Sequence, residues 1–345
     1  MKVALITDTH FGVRNDNLVF AEYQKKFFEK DFWPVAHSCD AIVHLGDVFD
    51  RRKFINYNSL HLAKEMFFNE LSTYKGECHM IVGNHDTYFK KTNEINAPNL
   101  LLNDYPLHLY QKLPEEVTIG GLKWLMVPWI AKDHLDTAHT TITDSKADIV
   151  CGHLEVNGFE MHAGIVMQHG TDPQLFKHFD EVYSGHFHKK GKRGNIEYLG
   201  NAYQLTWADY GDDRGFWVYD TDTREKVFHK NNQEMFVKLI YDEDNVPVTP
   251  PNALTSKMVK VFVKNKQNPF IFDTFVQDIE IQNPLDISIL EDFSELEVGE
   301  MEIETKDTLS ILTTYVDQLE YKDPSKLKTL LNNLYQEATQ LRDFV

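Results

Sequence analysis

A chain of 345 residues with 42% hydrophobic and 26% charged side chains has room for two domains, or one with appendages, and the composition of an ordinary globular protein. Its formal charge of −18 excludes a domain that holds nucleic acid by overall electrostatic attraction, so any such contact has to be local. The three isolated cysteines, Cys39, Cys78 and Cys151, form no CxxC pair, which excludes a disulfide framework and a cysteine zinc site and leaves reduced core thiols.

Taken from the N-terminus, an apolar run Val3 to Ile6 is followed by an amphipathic stretch from about Leu18 to His37, then by Ala41 to Leu45. A second amphipathic stretch, about Asn58 to Tyr74, leads to His79 to Val82. This strand, helix, strand, helix, strand order predicts an α/β layered domain. Short strands are expected at Lys123 to Val127, Ile149 to Cys151, Val182-Tyr183, Ile196 to Leu199 and Phe216 to Tyr219, forming a second sheet packed on the first. Met258 to Val263 then reads as a strand, Pro269 to Gln277 as a short helix and Ile279 to Ile281 as a strand, enough for a small α+β module. Glu291, Asp292, Glu295, Glu297, Glu300, Glu302 and Glu304 follow with no basic residue among them, an acidic linker over 291–305. Beyond it, Lys306 to Leu319 and Pro324 to Leu341 carry apolar stripes at helical spacing and read as tethered helices. No apolar run is long enough for a signal peptide or a membrane span, the longest, Trp124 to Ala131, being broken by Pro128; a cytoplasmic protein without membrane contact is expected.

Five times a predicted strand ends in a potential metal ligand: Asp8-Thr9-His10, Gly46-Asp47, Gly83-Asn84-His85-Asp86, Gly152-His153 and Gly185-His186-Phe187-His188. In four of them a glycine precedes the polar residue, as expected where the backbone turns sharply and approaches another loop. Any single pair is more often a turn than a ligand. Five in this order, each at the end of a strand in α/β layers, point instead to one shared crevice. Carboxylate, imidazole and one carboxamide, without thiolate, suit manganese, iron or zinc better than calcium. Asp8, His10, Asp47, Asn84, His153, His186 and His188 are more donors than one ion needs, whereas a bridging Asp47 would share them between two ions able to clamp a phosphate for in-line attack. His44, His79 and His162 sit in no such context and read as ordinary histidines. Basic residues trail three of the blocks: Arg51, Arg52 and Lys53; Lys90 and Lys91; Lys189, Lys190, Lys192 and Arg193. Each cluster alone reads as solvated loop charge, but together they would ring the mouth of the crevice as a local phosphate-binding rim. Tyr88, Phe89 and Phe187 lie beside them and are assigned no role.

The series DxH, GDVFDRR, GNHD, GH and GHFH resembles the signature of calcineurin-like metallophosphoesterases. Protein phosphatases of that superfamily carry GDxHG, GDxVDRG and GNHE. Here the first block is DTH, Arg52 replaces the glycine and Asp86 the glutamate, which is closer to the SbcD-type nucleases of DNA double-strand-break repair. The blocks from Gly152 to Gly158 and from Arg214 to Trp217 are similar to the bacteriophage recombination endonuclease subunits of that family.

The resemblance implies a two-sheet β-sandwich flanked by helices as a nuclease domain over 1–230, a small α+β DNA-capping domain over 231–290, and a partner-binding helical segment over 306–345. It implies one metal held by Asp8, His10, Asp47 and His188 and a second by Asp47, Asn84, His153 and His186, with Mn2+ preferred and Mg2+ the other option. His85 takes the place of the family's catalytic histidine, and Asp50, standing where several relatives have a histidine, is expected to orient His85 through a hydrogen bond. The implied activity is 3′–5′ double-strand exonuclease and single-strand endonuclease. The implied partners are DNA, a second copy in a homodimer and an SbcC-type coiled-coil ATPase gripped by the tail helices, in the host cytoplasm if the source is a phage. The competing readings are a phosphatase or cyclic-nucleotide phosphodiesterase, against which the basic clusters count, and a non-enzymatic module, against which the complete donor set counts.

Overall fold

The structure is a computed structural model that describes residues 1–162, 165–168 and 170–291. Alternation along the strand Lys2–Ile6 decides the architecture: Val3 and Leu5 point to one face, Ala4 and Ile6 to the other, and all four are buried. A strand apolar on both faces belongs in a sheet covered on both sides. That sheet runs in the order Lys226–Lys230, Gly215–Asp220, Lys2–Ile6, Ala41–His44, Glu77–Ile81, His108–Tyr110. Its last four strands are parallel and the other two antiparallel. The second sheet runs Gly191–Arg193, Ile196–Tyr198, Glu181–Gly185, Ile149–His153, Leu122–Val127, Glu115–Ile119, with a parallel centre and antiparallel edges.

The two sheets meet face to face through Val3, Leu5, Val43 and Leu45 on one side and Trp124, Met126, Cys151 and Tyr183 on the other. The outer face of the first sheet packs on the amphipathic stretches, and that of the second on the helix Leu135–Asp144 with Phe176 and Phe179. The expected sandwich flanked by helices is what forms, with one correction: Phe216 to Tyr219, expected in the second sheet, belongs to the strand Gly215–Asp220, which pairs antiparallel with Lys2–Ile6 in the first. Asn17 starts the first long helix, its side chain accepting from the N–H of Val19 and Phe20. The helix passes through a π turn at Phe28–Phe32, and the second through one at Lys64–Phe68. Each π turn shifts the helical register. Phe28 thereby meets Phe27 at 5.2 Å and Phe67 at 5.5 Å, and Phe32 meets Phe216 of the sheet at 4.9 Å, all edge to face.

Residues 236–290 add a three-stranded parallel sheet, Phe236–Asp242, Met258–Asn265 and Asp286–Leu290, with the helix Pro269–Glu280 on one face. The expectation of a strand at Ile279 to Ile281 is corrected here. Ile279 completes the helical stripe of Phe272, Phe275 and Val276, and the strand comes later, at Asp286–Leu290. A short β-branched run shows no period of its own, so burial against the sheet settled it. Met235, Phe236 and Met258 join the core beneath the first sheet's helices. The three cysteines are free and buried. Among the described residues no helix is long and apolar enough to cross a membrane. The linker from 292 onward and both tail helices lie outside the described residues.

Candidate metal centre

The five ligand-bearing segments all leave the C-terminal ends of parallel strands, so they converge on one edge of the sandwich. Four of the donors hold backbone conformations that L residues rarely adopt: Asp8 (φ 53°), His10 (42°), Asp47 (53°) and His186 (85°). Such conformations persist only where surrounding structure enforces them. Gly46 shows how closely the loops meet. Its φ is 96°, and a Cβ there would lie 2.6 Å from His153 Nδ1 and 2.9 Å from Gly83 Cα. Across from it, a Cβ on Gly83 would collide with Asp47.

Two groups of ligand atoms result, Asp8 with His10 and His188, and Asp47 with His153 and His186, the atoms of each within 4.8 Å of one another. His10 Nε2 and His188 Nε2 are 3.1 Å apart. Asn84 Oδ1 lies 2.9 Å from both His153 Nε2 and His186 Nδ1, which places it with the second group. Asp47 Oδ2 is 3.2 Å from His153 Nε2 and 3.8 Å from His10 Nε2, so a single oxygen borders both groups. His153 Nδ1–H donates to the Leu45 carbonyl at 2.8 Å, which leaves Nε2 as the coordinating nitrogen. Asp8 is held in turn by the Thr7 hydroxyl at 2.7 Å and the His186 N–H at 3.2 Å.

The charge balance of the site points to cations. Asp8 and Asp47 are buried with imidazoles as their ion-pair partners. Burial pushes the Asp47 carboxyl up, but the surrounding imidazoles, His153 foremost, outweigh it and hold it well below the usual carboxylate range. Burial raises the Asp8 carboxyl, opposed by His153 and His188. His153 is disfavoured as a cation by burial, yet Asp47 beside it raises it to about 9. His10 and His186 go the other way, burial holding His10 well below its usual range and His186 at about 3, so they stay neutral and free to donate; oxygen and imidazole donors without thiolate fit divalent metal ions.

His85 sits beside these groups, its N–H donating to Asp47 Oδ1 at 2.8 Å and its ring 5.0 Å from that of His10. The expected link to Asp50 takes a different form. His85 Nδ1 donates to the Asp50 backbone carbonyl at 2.6 Å, while the Asp50 carboxylate lies 3.5 Å from His10 Nδ1. The turn after Asp47 points the Asp50 side chain back toward His10 and leaves its main chain facing His85, so the orienting group is the peptide and not the carboxylate.

The basic rim is likewise altered. Arg51 pairs with Asp16 at 3.1 Å and Arg52 donates to the Thr87 carbonyl and hydroxyl at 3.1 and 3.0 Å. Lys189 pairs with Glu160 at 2.8 Å, Lys192 with Glu197 at 3.4 Å, and Lys190 lies over the Phe228 ring. Arg193 donates to the Gly158 carbonyl. An acidic protein has carboxylates to spare, and together with backbone carbonyls they engage most of these cations in loop architecture. Lys53, Lys90 and Lys91 are exposed on the two loops of the first sheet.

Three residues that the motif reading passed over shape the site. Asp86 is fully buried and accepts from the N–H of Val48, Phe49 and Gly83 at 2.9, 3.2 and 2.9 Å, tying the Asp47 loop to the Asn84 loop. Arg214 is buried, donates to the His188 carbonyl and Asn201, and pairs with Asp209 at 3.0 Å, which fixes the His188 loop. Trp129 packs on His186 at 5.2 Å and His153 at 6.2 Å. Asp86 and Arg214 stood inside quoted motifs and could have been singled out; Trp129 follows a proline at a strand end with no distinguishing signal.

The calcineurin-like phosphoesterase profile matches residues 1–190. Exonuclease subunit 1 of Enterobacteria phage T4 is 28% identical over 348 residues, covering 99% of this chain and 100% of that one. An SbcCD nuclease subunit of Staphylococcus saprophyticus subsp. saprophyticus is 22% identical over 236 residues, covering 66% of this chain and 56% of its own. A solved structure described as a novel archaeal phosphodiesterase is 12% identical with a TM-score of 0.33, covering 67% of this chain and 99% of that one, a likeness too slight to bear on the fold. With a family profile spanning more than half of its length, the chain belongs to the calcineurin-like phosphoesterase family.

Proposed function

We propose that the chain is the nuclease subunit of an SbcCD-type DNA-processing complex, hydrolysing DNA phosphodiesters as a 3′–5′ double-strand exonuclease and single-strand endonuclease with two Mn2+ ions, Mg2+ being the other candidate. The observation that carries the reading is similarity over 99% of the chain to a phage exonuclease subunit. One ion would be held by Asp8, His10, Asp47 and His188 and the other by Asp47, Asn84, His153 and His186, in keeping with the two groups of atoms. Paired divalent ions supply Lewis acidity and a nucleophile at neutral pH.

The protein's own share lies in His85 and the loops. The Asp50 carbonyl engages Nδ1–H, so Nε2 is the nitrogen left for substrate, and a proton delivered from it to the leaving oxygen comes from the imidazolium form. Arg51, Arg52, Lys53, Lys90, Lys91, Lys189, Lys190, Lys192 and Arg193, on the loops beside the donors, would meet DNA phosphates, with DNA displacing partners such as Asp16 and Glu160. Both relatives are named as subunits, which supports a partner chain; we assign it as a coiled-coil ATPase held through 306–345, with a homodimer of this chain at the core and the host cytoplasm as location. The test is cleavage of end-labelled duplex DNA with Mn2+, where His85→Ala should lower turnover about 10²–10⁴-fold with metal content retained. Hydrolysis of phosphomonoesters with no cleavage of DNA would replace the nuclease by a phosphatase.

A further inference from the structure

A coordinating imidazole is ordinarily aimed by a hydrogen bond from its other ring nitrogen, as His153 is by the Leu45 carbonyl at 2.8 Å. His10 lacks that aid: its Nδ1 is shielded from solvent and has no hydrogen-bond partner among the described residues. Its direction therefore comes from the main chain, which at His10 lies in the left-handed region, φ 42°. Two buried side chains hold that main chain. Gln24, on the helix Leu18–Phe27, donates from Nε2 to the Thr9 carbonyl at 3.0 Å, the His10 carbonyl at 3.4 Å and the Tyr203 hydroxyl at 3.0 Å. The Tyr203 hydroxyl in turn donates to the Thr9 carbonyl. The Thr9 carbonyl belongs to the peptide that sets φ of His10, and the His10 carbonyl to the peptide that sets its ψ, so the pair grips His10 from both sides.

Packing alone does not call for a glutamine here. The other buried positions of its helix are Phe20, Tyr23 and Phe27, and the Tyr203 ring lies 5.4 Å from Phe27 and 6.3 Å from Phe28. An amide buried among aromatic rings costs stability unless its hydrogen bonds repay the lost water. The clamp is itself anchored by its neighbours in sequence. The Tyr23 hydroxyl accepts from the Gln204 N–H at 3.1 Å and donates to the Gln233 carbonyl at 3.3 Å. The Gln204 side chain accepts from the N–H of Met235 and Phe236 at 2.9 and 3.2 Å, at the start of the three-stranded module. We propose that Gln24 and Tyr203 are positioning residues that hold His10 in its left-handed conformation and so aim its imidazole at the group of Asp8, His10 and His188. This rests on the two-ion reading and deepens it: one ion's site is kept assembled by two side chains that donate nothing to the metal.

Gln24→Leu and Tyr203→Phe each remove hydrogen bonds to the main chain and keep a buried side chain of similar size. Titration of the metal-free protein with Mn2+, followed by the electron paramagnetic resonance of the unbound ion, reads the affinities without relying on turnover. Each variant should bind one ion as the unsubstituted protein does and the other about tenfold more weakly, the lower end of what losing an outer partner of a metal ligand costs. In a His188→Ala background, which dismantles the group that His10 serves, Gln24→Leu should leave the affinity of the remaining ion unchanged. Two ions bound with unaltered affinity would overturn the proposal, even with a lowered unfolding midpoint, since the pair would then only staple helix to sheet. Two ions weakened alike, or a further loss in the His188→Ala background, would overturn it as well. Failure of the two-ion reading looks different: the unsubstituted protein itself takes up a single ion, and the clamp then stands or falls on whether the two variants weaken that ion.

Discussion

The Asp50 carboxylate stands 3.5 Å from His10 Nδ1, on the far side of the imidazole from His188 Nε2. The two are close without a hydrogen bond between them, so the carboxylate acts on the imidazole through its charge, which favours a cation bound at His10. Asp50→Ala should therefore weaken metal binding at the group of Asp8, His10 and His188, and Asp50→Asn, which removes the same charge, should weaken it as much. Metal titration of the apoprotein checks this. Unchanged affinity together with reduced turnover would return Asp50 to the role of orienting His85 through its side chain.

Asp86 holds three backbone N–H groups in the buried seam between two loops. Asp86→Ala orphans them, and each unsatisfied buried donor costs about 1–3 kcal/mol. Thermal unfolding of the metal-free variant should begin several degrees lower, at roughly 2 °C per kcal/mol for a chain longer than 250 residues. An unmoved midpoint would show that another group or water takes over the three donors.

His44 gives the metal-free protein an acid-labile element. It is fully buried and bonded to the Thr9 hydroxyl and the Gly46 N–H, and burial pushes its pKa down to about 3. In the unfolded chain it titrates near about 6.5. The unfolded state thus binds one more proton between these values, so stability from this residue is present above about pH 6.5 and is lost as pH falls toward 3. At pH 5 the loss is about 2 kcal/mol. His44→Gln should flatten the pH dependence of stability between about pH 4 and 6, measured by denaturant unfolding in chelator, and an unaltered slope would refute the assignment.

The tail supplies a test independent of the metal site. Deleting 306–345 should abolish co-purification with a coiled-coil ATPase partner while sparing Mn2+-dependent cleavage of a short oligonucleotide. Loss of both would mean that the segment supports the nuclease domain itself.

Covalent spacing made much of this protein legible in its sequence. Apolar runs closed by Asp8, Asp47, Asn84 and His186 announce strands ending in donors, since a strand projects whatever follows it beyond the sheet edge. The sandwich followed from the same runs. Less legible were the edge strands Glu115–Ile119, Gly191–Arg193 and Lys226–Lys230, whose polar residues carry a weak pattern because an edge has solvent on one side. Only the folded chain decided which face of Asp50 meets which histidine, that Asp86 ties two loops, and that Arg214 reaches the His188 carbonyl. Those are contacts between segments far apart in sequence, set by sheet order and loop geometry. The fate of the basic clusters has the same origin: a lysine beside a motif is visible in sequence, whereas the carboxylate that pairs with it comes from another strand.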